Sequence, residues 1–282
     1  ITAYAWDFGD GNNSSTASPS HMYAASGTYT VQLIVTTINS CKDTVSKSVT
    51  VYPKPVANYT FTNACLDDGI SFTNTSSVSS GSITAYAWDF GDGNNSSTAS
   101  PSHMYAASGT YTVQLIVTTI NSCKDTVSKS VTVYPKPVAG FSTSNVCYGL
   151  NMNFTDTSTI SGGSITNYAW TFGDGNTSSV ANPSHMYAAS GTYNVQLIIT
   201  SNVGCKDTVS TTVTVYPKPV ADYTFTNQCL DEGITFTDAS TVSSGSITAY
   251  AWNFGDSKTS SLQNPYHYYT ASGSYSVTLL IT

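Results

Sequence analysis

Apolar and polar residues alternate with a period of two along most of this chain. Between Val56 and Thr62 it reads Val-Ala-Asn-Tyr-Thr-Phe-Thr, and from Ile70 to Thr75 it reads Ile-Ser-Phe-Thr-Asn-Thr. Tyr86, Trp88 and Phe90 share one face of the next segment. Tyr111, Val113, Leu115 and Val117 share one face of a longer one. Such alternation predicts half-buried strands, because successive side chains of a strand point to opposite sides. His103-Met-Tyr105 reads as a further short strand and Thr126 to Tyr134 as the last. Gly91-Asp-Gly-Asn-Asn95, Ser108-Gly-Thr110 and Asn121-Ser122 are the turn signals between them. No stretch carries a helical period.

The same pattern returns. Ile-Thr-Ala-Tyr-Ala-Trp starts at Ile1, Ile83 and Ile247, with Ile-Thr-Asn-Tyr-Ala-Trp at Ile165, so the period is 82 residues. Residues 1–57 and 83–139 are identical. A period of this length exceeds that of solenoid repeats and suits a small independent domain. Tyr-Pro-Lys-Pro punctuates the units at 52–55, 134–137 and 216–219, and its prolines favour a short, semi-rigid linker. The predicted domains are 1–54, lacking its N-terminal part, then 55–136, 137–218 and 219–282, lacking its last strand. The chain reads as a window on a longer array. Seven short strands per unit predict all-β, tandem immunoglobulin-like sandwiches strung into an elongated rod. Trp6, Trp88, Trp170 and Trp252 would pin the cores, and Tyr111 would form a tyrosine corner.

Composition narrows the function. Charged residues are 9% of the chain, with nine Lys, no Arg, one Glu (Glu232) and a net charge of −7; Ser and Thr together make up about 30%. A nucleic-acid partner needs clustered basic residues to neutralise phosphates, and none are present. No apolar run approaches the length of a membrane span.

Three motifs recur: Tyr-x-Trp-Asp-Phe-Gly-Asp-Gly (Tyr86–Gly93), Pro-x-His-x-Tyr (Pro101–Tyr105) and Gly-Thr-Tyr-x-Val-x-Leu (Gly109–Leu115). Together they resemble the polycystic kidney disease (PKD) domain over essentially the whole chain. The resemblance implies an extracellular seven-strand sandwich of the kind that serves as a spacer in surface proteins, adhesins and secreted hydrolases. The cysteines and the Cys-Lys-Asp-Thr-Val segment resemble arrays in secreted proteins of Bacteroidota. The motif's first Asp (Asp7, Asp89) is replaced by Thr171 and Asn253, and its final Gly by Ser257.

Candidate chemistry is sparse. His21, His103, His185 and His267 occur once per unit, whereas a metal site needs several converging ligands. They read as hydrogen-bonded structural residues. Asp10, Asp92, Asp174 and Asp256 would cap backbone N–H groups in the turn after the Trp strand. Asp67, Asp68, Asp231 and Glu232 could add carboxylates toward Ca²⁺, but the third unit has Tyr148-Gly-Leu150 there, so Ca²⁺ in every unit is not expected. No cofactor and no catalytic constellation is expected.

Six cysteines, at 41, 65, 123, 147, 205 and 229, suggest disulfides. Cys65 ends the first strand of its unit, while Cys123 lies at the opposite end of the same sandwich. A strand's length of roughly 30 Å exceeds the ~7 Å Cα separation of a disulfide. A coaxial array would instead bring Cys65 to Cys205, although an intradomain bond, a Cys123–Cys147 bond and free thiols remain open. Thr44, Thr126 and Thr208 lie in Asp-Thr-Val segments that resemble Bacteroidota O-glycan acceptors. Asn13, Asn58, Asn74, Asn153 and Asn176 begin Asn-x-[Ser/Thr] sequons. Ile34, Ile116, Ile198 and Leu280 form an outward apolar position, beside Ala3 and Ala5 in the first unit, suited to lateral contact. The expected protein is therefore a non-catalytic, extracellular or cell-surface stalk or fibre, glycosylated, disulfide-stapled and self-associating through further copies of the repeat. An adhesive or carbohydrate-binding region of an adhesin or secreted hydrolase is the alternative. Binding would need exposed aromatics, and the tryptophans are assigned to cores.

Overall fold

The computed structural model describes residues 1–282 and consists of strands and turns without helix. Two compact units are separated within a proline-rich junction, Ile1–Pro135 and Lys136–Thr282. Each contains one complete sandwich.

In the first unit the complete sandwich has a large sheet and a small one. The large sheet runs in the order Asn95–Ser96, Ile83–Asp89, Gly109–Thr119, Lys124–Tyr134, Ala64–Cys65. The small layer pairs Tyr59–Thr60 with Thr73–Asn74, and Ile70–Ser71 with Ser102–His103. The first predicted strand is thus shorter than its alternation suggests. It leaves the small layer after Thr60 and crosses to the large sheet, where Ala64 and Cys65 pair in parallel with Val133 and Tyr134. Crossing removes one open edge at that end of the sheet.

The inward faces agree with the alternation. Val113, Leu115, Val117 and Val131 are fully buried, with Tyr59, Ile70, Phe72, Trp88 and Phe90. Trp88 is the hub. Tyr59 meets it edge-on at 5.0 Å and Phe72 tilts against it at 5.5 Å. Such pairs contribute roughly 0.5–1.5 kcal/mol each beyond the burial of apolar area. Its indole N–H donates to the Thr98 carbonyl at 2.9 Å, so the polar atom carries no desolvation penalty.

Lys129 points inward from the last strand. Its ammonium donates to Asn58 Oδ1 at 2.9 Å and to the Tyr59 carbonyl, and sits 5.0 Å from the Tyr59 ring centroid. An inward charge on the part of this strand that Ala64–Cys65 leaves uncovered opposes pairing with a foreign strand. The third repeat has Thr211, Gly140 and Phe141 at the three equivalent positions.

In the second unit the complete sandwich repeats this plan around Trp170, with Met152, Phe154, Val195, Leu197 and Ile199 buried. The flanking repeats show parts of it. Residues 3–51 form one four-stranded sheet. Val31, Leu33 and Val35 there are only half-buried, although their sequence is that of the buried Val113, Leu115 and Val117. Residues 220–282 form a three-stranded sheet and two two-stranded ladders around Phe236, Trp252 and Phe254.

Tyr59 also donates its hydroxyl to the Val113 carbonyl at 2.7 Å, as Tyr223 does to Val277. Phe141 cannot. Tyr59→Phe should therefore cost the second sandwich about 1 kcal/mol, and Phe141→Tyr should return a similar amount to the third. Hydrogen exchange of the Gly109–Thr119 and Gly191–Ser201 amides would report both changes. Equal protection in the variants would contradict the assignment.

Candidate functional site

The turn leaving each Trp strand is the most polar construction in the fold, and it repeats four times. The Phe90 N–H donates to the Asn94 carbonyl, closing the turn. Gly91 sits at φ 79° with its α-carbon against Thr112, where an added Cβ would lie 2.6 Å from the carbonyl oxygen. Gly93 sits at φ 92° in open space. Ser257 occupies the equivalent of Gly93 at φ 70°, so this second position tolerates a side chain at the cost of a left-handed backbone.

Asp92 works with both oxygens. Oδ1 accepts the Asn94 N–H at 3.0 Å, and Oδ2 takes His103 Nε2 at 2.7 Å. Asp10–His21 and Asp174–His185 repeat the pair at 2.7 Å, and Asp256–His267 at 2.9 Å. The capping expected of these aspartates is one half of their role; the grip on histidine is the other. His103 lies flat on Phe90 at 4.1 Å and edge-on to Tyr105 at 4.6 Å. Tyr105 donates to the Phe90 carbonyl and stacks on Tyr111, whose hydroxyl donates to the Ala107 carbonyl four residues back.

Electrostatics follow from this packing. The His21 hydrogen bond is the largest influence on Asp10 and holds its carboxyl down at about 2. For Asp92 the largest influence is desolvation, which raises it, but the bonds from His103 and Asn94 together outweigh that and leave it lowered. Burial pushes the Tyr59 phenol up to about 12 and Tyr105 further in the same direction.

A histidine–carboxylate pair is part of a nucleophilic triad, but a triad also needs a hydroxyl or thiol on the imidazole. The four imidazoles bond only their aspartates, and each ring is sandwiched between aromatics. No group of three or more His, Cys, Asp or Glu side chains converges in a way that could hold a metal ion. Asp67 adopts φ 72° in its own turn.

The PKD domain family matches residues 1–51, 52–134, 133–215 and 216–282. The chain is a tandem array of PKD domains. A pre-pro-metalloprotease, PrtV of Vibrio cholerae serotype O1, is 31% identical over 167 residues, 59% of this chain and 18% of that protein. Collagenase ColA of Clostridium perfringens is 34% identical over 120 residues, 42% of this chain and 11% of that one. The array therefore spans under a fifth of the length of these relatives. The crystal structure of the PKD1 domain from the Vibrio cholerae metalloprotease PrtV is 39% identical and covers 28% of this chain and 96% of its own, with a TM-score of 0.27.

The remaining candidates fall at defined places on the PKD domains. Cys65 and Cys205 are each in disulfide linkage, and Cys41, Cys123, Cys147 and Cys229 are free thiols. Bonds of Cys123 to Cys65 or to Cys147 are thereby excluded. Buried hydroxyls fix the turn that carries Cys123 and Cys205: Thr119 Oγ1 accepts the Cys123 N–H at 3.2 Å, and Ser201 Oγ accepts that of Cys205 at 3.1 Å. In the Asp-Thr-Val segments, Asp125 accepts the Ala57 N–H at 2.9 Å and pairs with Lys54 at 2.9 Å, so it fastens the linker to the sandwich. Thr44, Thr126 and Thr208 are exposed. Each stands directly across from the apolar position of the neighbouring strand: Thr44 from Ile34, Thr126 from Ile116, Thr208 from Ile198. Ile34, Ile116, Ile198 and Leu280 in turn face Ala5, Ala87, Ala169 and Ala251.

Among the sequons, Asn13, Asn58, Asn153 and Asn176 are exposed and Asn74 is half-buried. Asn74 accepts the Ser76 N–H, Asn58 holds Lys129, and Asn176 donates to Asp174. The histidine–aspartate pairing was missed from sequence, although its constant spacing of eleven residues in all four repeats was a usable signal. Two exposed tyrosines, Tyr266 and Tyr268, were missed as well.

Two tests follow. Gly91→Ala should destabilise its domain by more than about 2 kcal/mol, and Gly93→Ser by only about 1 kcal/mol. Thermal unfolding followed by tryptophan emission reads both, and equal costs would refute the close-approach argument. The aspartates of the turn titrate lower when folded than when unfolded. The stability they confer is complete above about pH 4 and is lost as pH falls through the folded values, about 2 for Asp10. Asp92→Asn should flatten the loss of stability between pH 4 and pH 2, and an unchanged slope would refute it.

Proposed function

We propose that this array is a non-catalytic repeat region of a larger extracellular protein, built like its protease relatives, and that it spaces other modules apart. The observation that supports this most is the partial overlap: the similarity covers 18% of the metalloprotease relative and 11% of the collagenase, leaving most of each for other modules. Within each PKD domain the turn's aspartate and histidine are occupied by the fold's own bonds, and no hydroxyl or thiol joins them. Disulfide linkage suits an oxidising compartment outside the cell.

For the covalent framework we propose that Cys65 bonds Cys205. Their linkage, and the free state of the other four thiols, support it. A second reading, a glycosylated stalk that associates laterally with further copies, is favoured by one observation. Exposed Thr126 and apolar Ile116 share a row on the outward face, as Thr44 and Ile34 do. Peptide mapping of unreduced native material decides among these. A linked peptide containing Cys65 and Cys205 is expected. Hexose on Thr44, Thr126 or Thr208 would favour the stalk, and bare peptides would leave the spacer. Incubation of the array with casein or gelatin should release no fragments, and cleavage would overturn the non-catalytic assignment.

A further inference from the structure

The fourth repeat departs from the others on the outer face of its small layer. Where the second and third repeats carry Ser102 and Ser184, it carries Tyr266. Where they carry Met104 and Met186, it carries Tyr268. Both rings are more than half exposed, at 57% and 54%. They meet edge to face with centroids 5.0 Å apart, and the Tyr266 hydroxyl donates to that of Tyr268 at 3.1 Å. Tyr266 lies over Gly233; the second repeat has Gly69 at that position, beneath Ser102, and the third has Asn151. The glycine therefore does not by itself call for the tyrosines, which occur together in the fourth repeat.

Beside the rings is a shallow depression of about 260 Å³, lined by Thr224, Phe225, Thr226, Gln228, Thr235 and Thr237. Thr235 is the direct cross-strand partner of Tyr266, and Thr224 that of Thr237. The face therefore joins two exposed phenols to a field of hydroxyls and one amide, with no charged side chain among the lining residues. We propose that this face of the fourth PKD domain binds a neutral polysaccharide. The C–H face of a pyranose ring stacks on an exposed phenol, and sugar hydroxyls exchange hydrogen bonds with the threonines and Gln228. A polyanion finds no cation here. This inference is independent of the spacer role and holds whether or not that role does.

The test uses the 282-residue chain in pull-downs on insoluble cellulose and chitin, and in affinity electrophoresis through gels containing soluble xyloglucan. Retention by at least one of these is expected. The double variant Tyr266→Ser, Tyr268→Met installs the residues of the second and third repeats, and it should weaken retention by roughly tenfold or more. Unchanged tryptophan emission and thermal unfolding would show that it still folds. The reverse graft into the third repeat, Asn151→Gly, Ser184→Tyr and Met186→Tyr, should add a second site and raise the bound capacity. Absence of retention by all three polysaccharides would overturn the proposal. So would equal retention of the double variant, or binding to gelatin alone, which would assign the face to a polypeptide.

Discussion

A part-buried hydrogen bond between a carboxylate and an imidazole ties the two layers of each complete sandwich together. Asp92 belongs to the turn that leaves the Trp strand of the large sheet, and His103 to the small layer. Their bond crosses the interior at the edge of the core, with both side chains close to seven-eighths covered. A pair so placed is costly to break on one side alone, because the survivor is left buried without its partner. The imidazole also completes a row of rings running from Tyr59 through Trp88, Phe90, His103 and Tyr105 to Tyr111. Phe90, stacked on His103, and Tyr105, edge-on to it, flank that bond. A residue set that looks catalytic in composition is thereby used up in architecture.

Much of this was legible in the sequence because the informative signal is a period. Alternation put Val113, Leu115, Val117 and Trp88 on the core face, and the 82-residue repeat divided the chain. Other features are not periodic and stayed hidden. The first strand keeps its alternation through Phe61 while its backbone ladder ends at Thr60, because the chain changes sheets there without any change in which side chains face inward. The partnership of Asp92 and His103 is made by a turn bringing two strands together, and neither residue type announces it. The Tyr266–Tyr268 pair was overlooked for a different reason. Attention to what the repeats share conceals what one of them has acquired, and column-by-column comparison of the four units would have found it.

Trp6 and Trp88 lie in identical 57-residue stretches, yet Trp88 is almost fully buried and Trp6 is only half-buried. Trp88 lies beneath the small layer of its sandwich, where Tyr59 and Phe72 pack against it. The second layer supplies the desolvation that the alternating pattern only makes possible.

That identity has a price in folding. The strand Lys42–Val51 and the first ten residues of Lys124–Tyr134 have the same sequence, and each pairs with a long strand that is identical to its counterpart's. A sandwich that captures its neighbour's last strand would recreate the same ladder and the same core contacts. Only loop-closure entropy, which grows slowly with length, separates the correct assembly from the exchanged one. Refolding the denatured chain therefore invites strand exchange between the first two repeats, while synthesis from the N-terminus lets each repeat claim its own strand first. The third repeat, with Thr211 in place of the inward Lys129, carries a last strand distinguishable from the other two. Sequence divergence between neighbours here acts as an address label that directs each strand home.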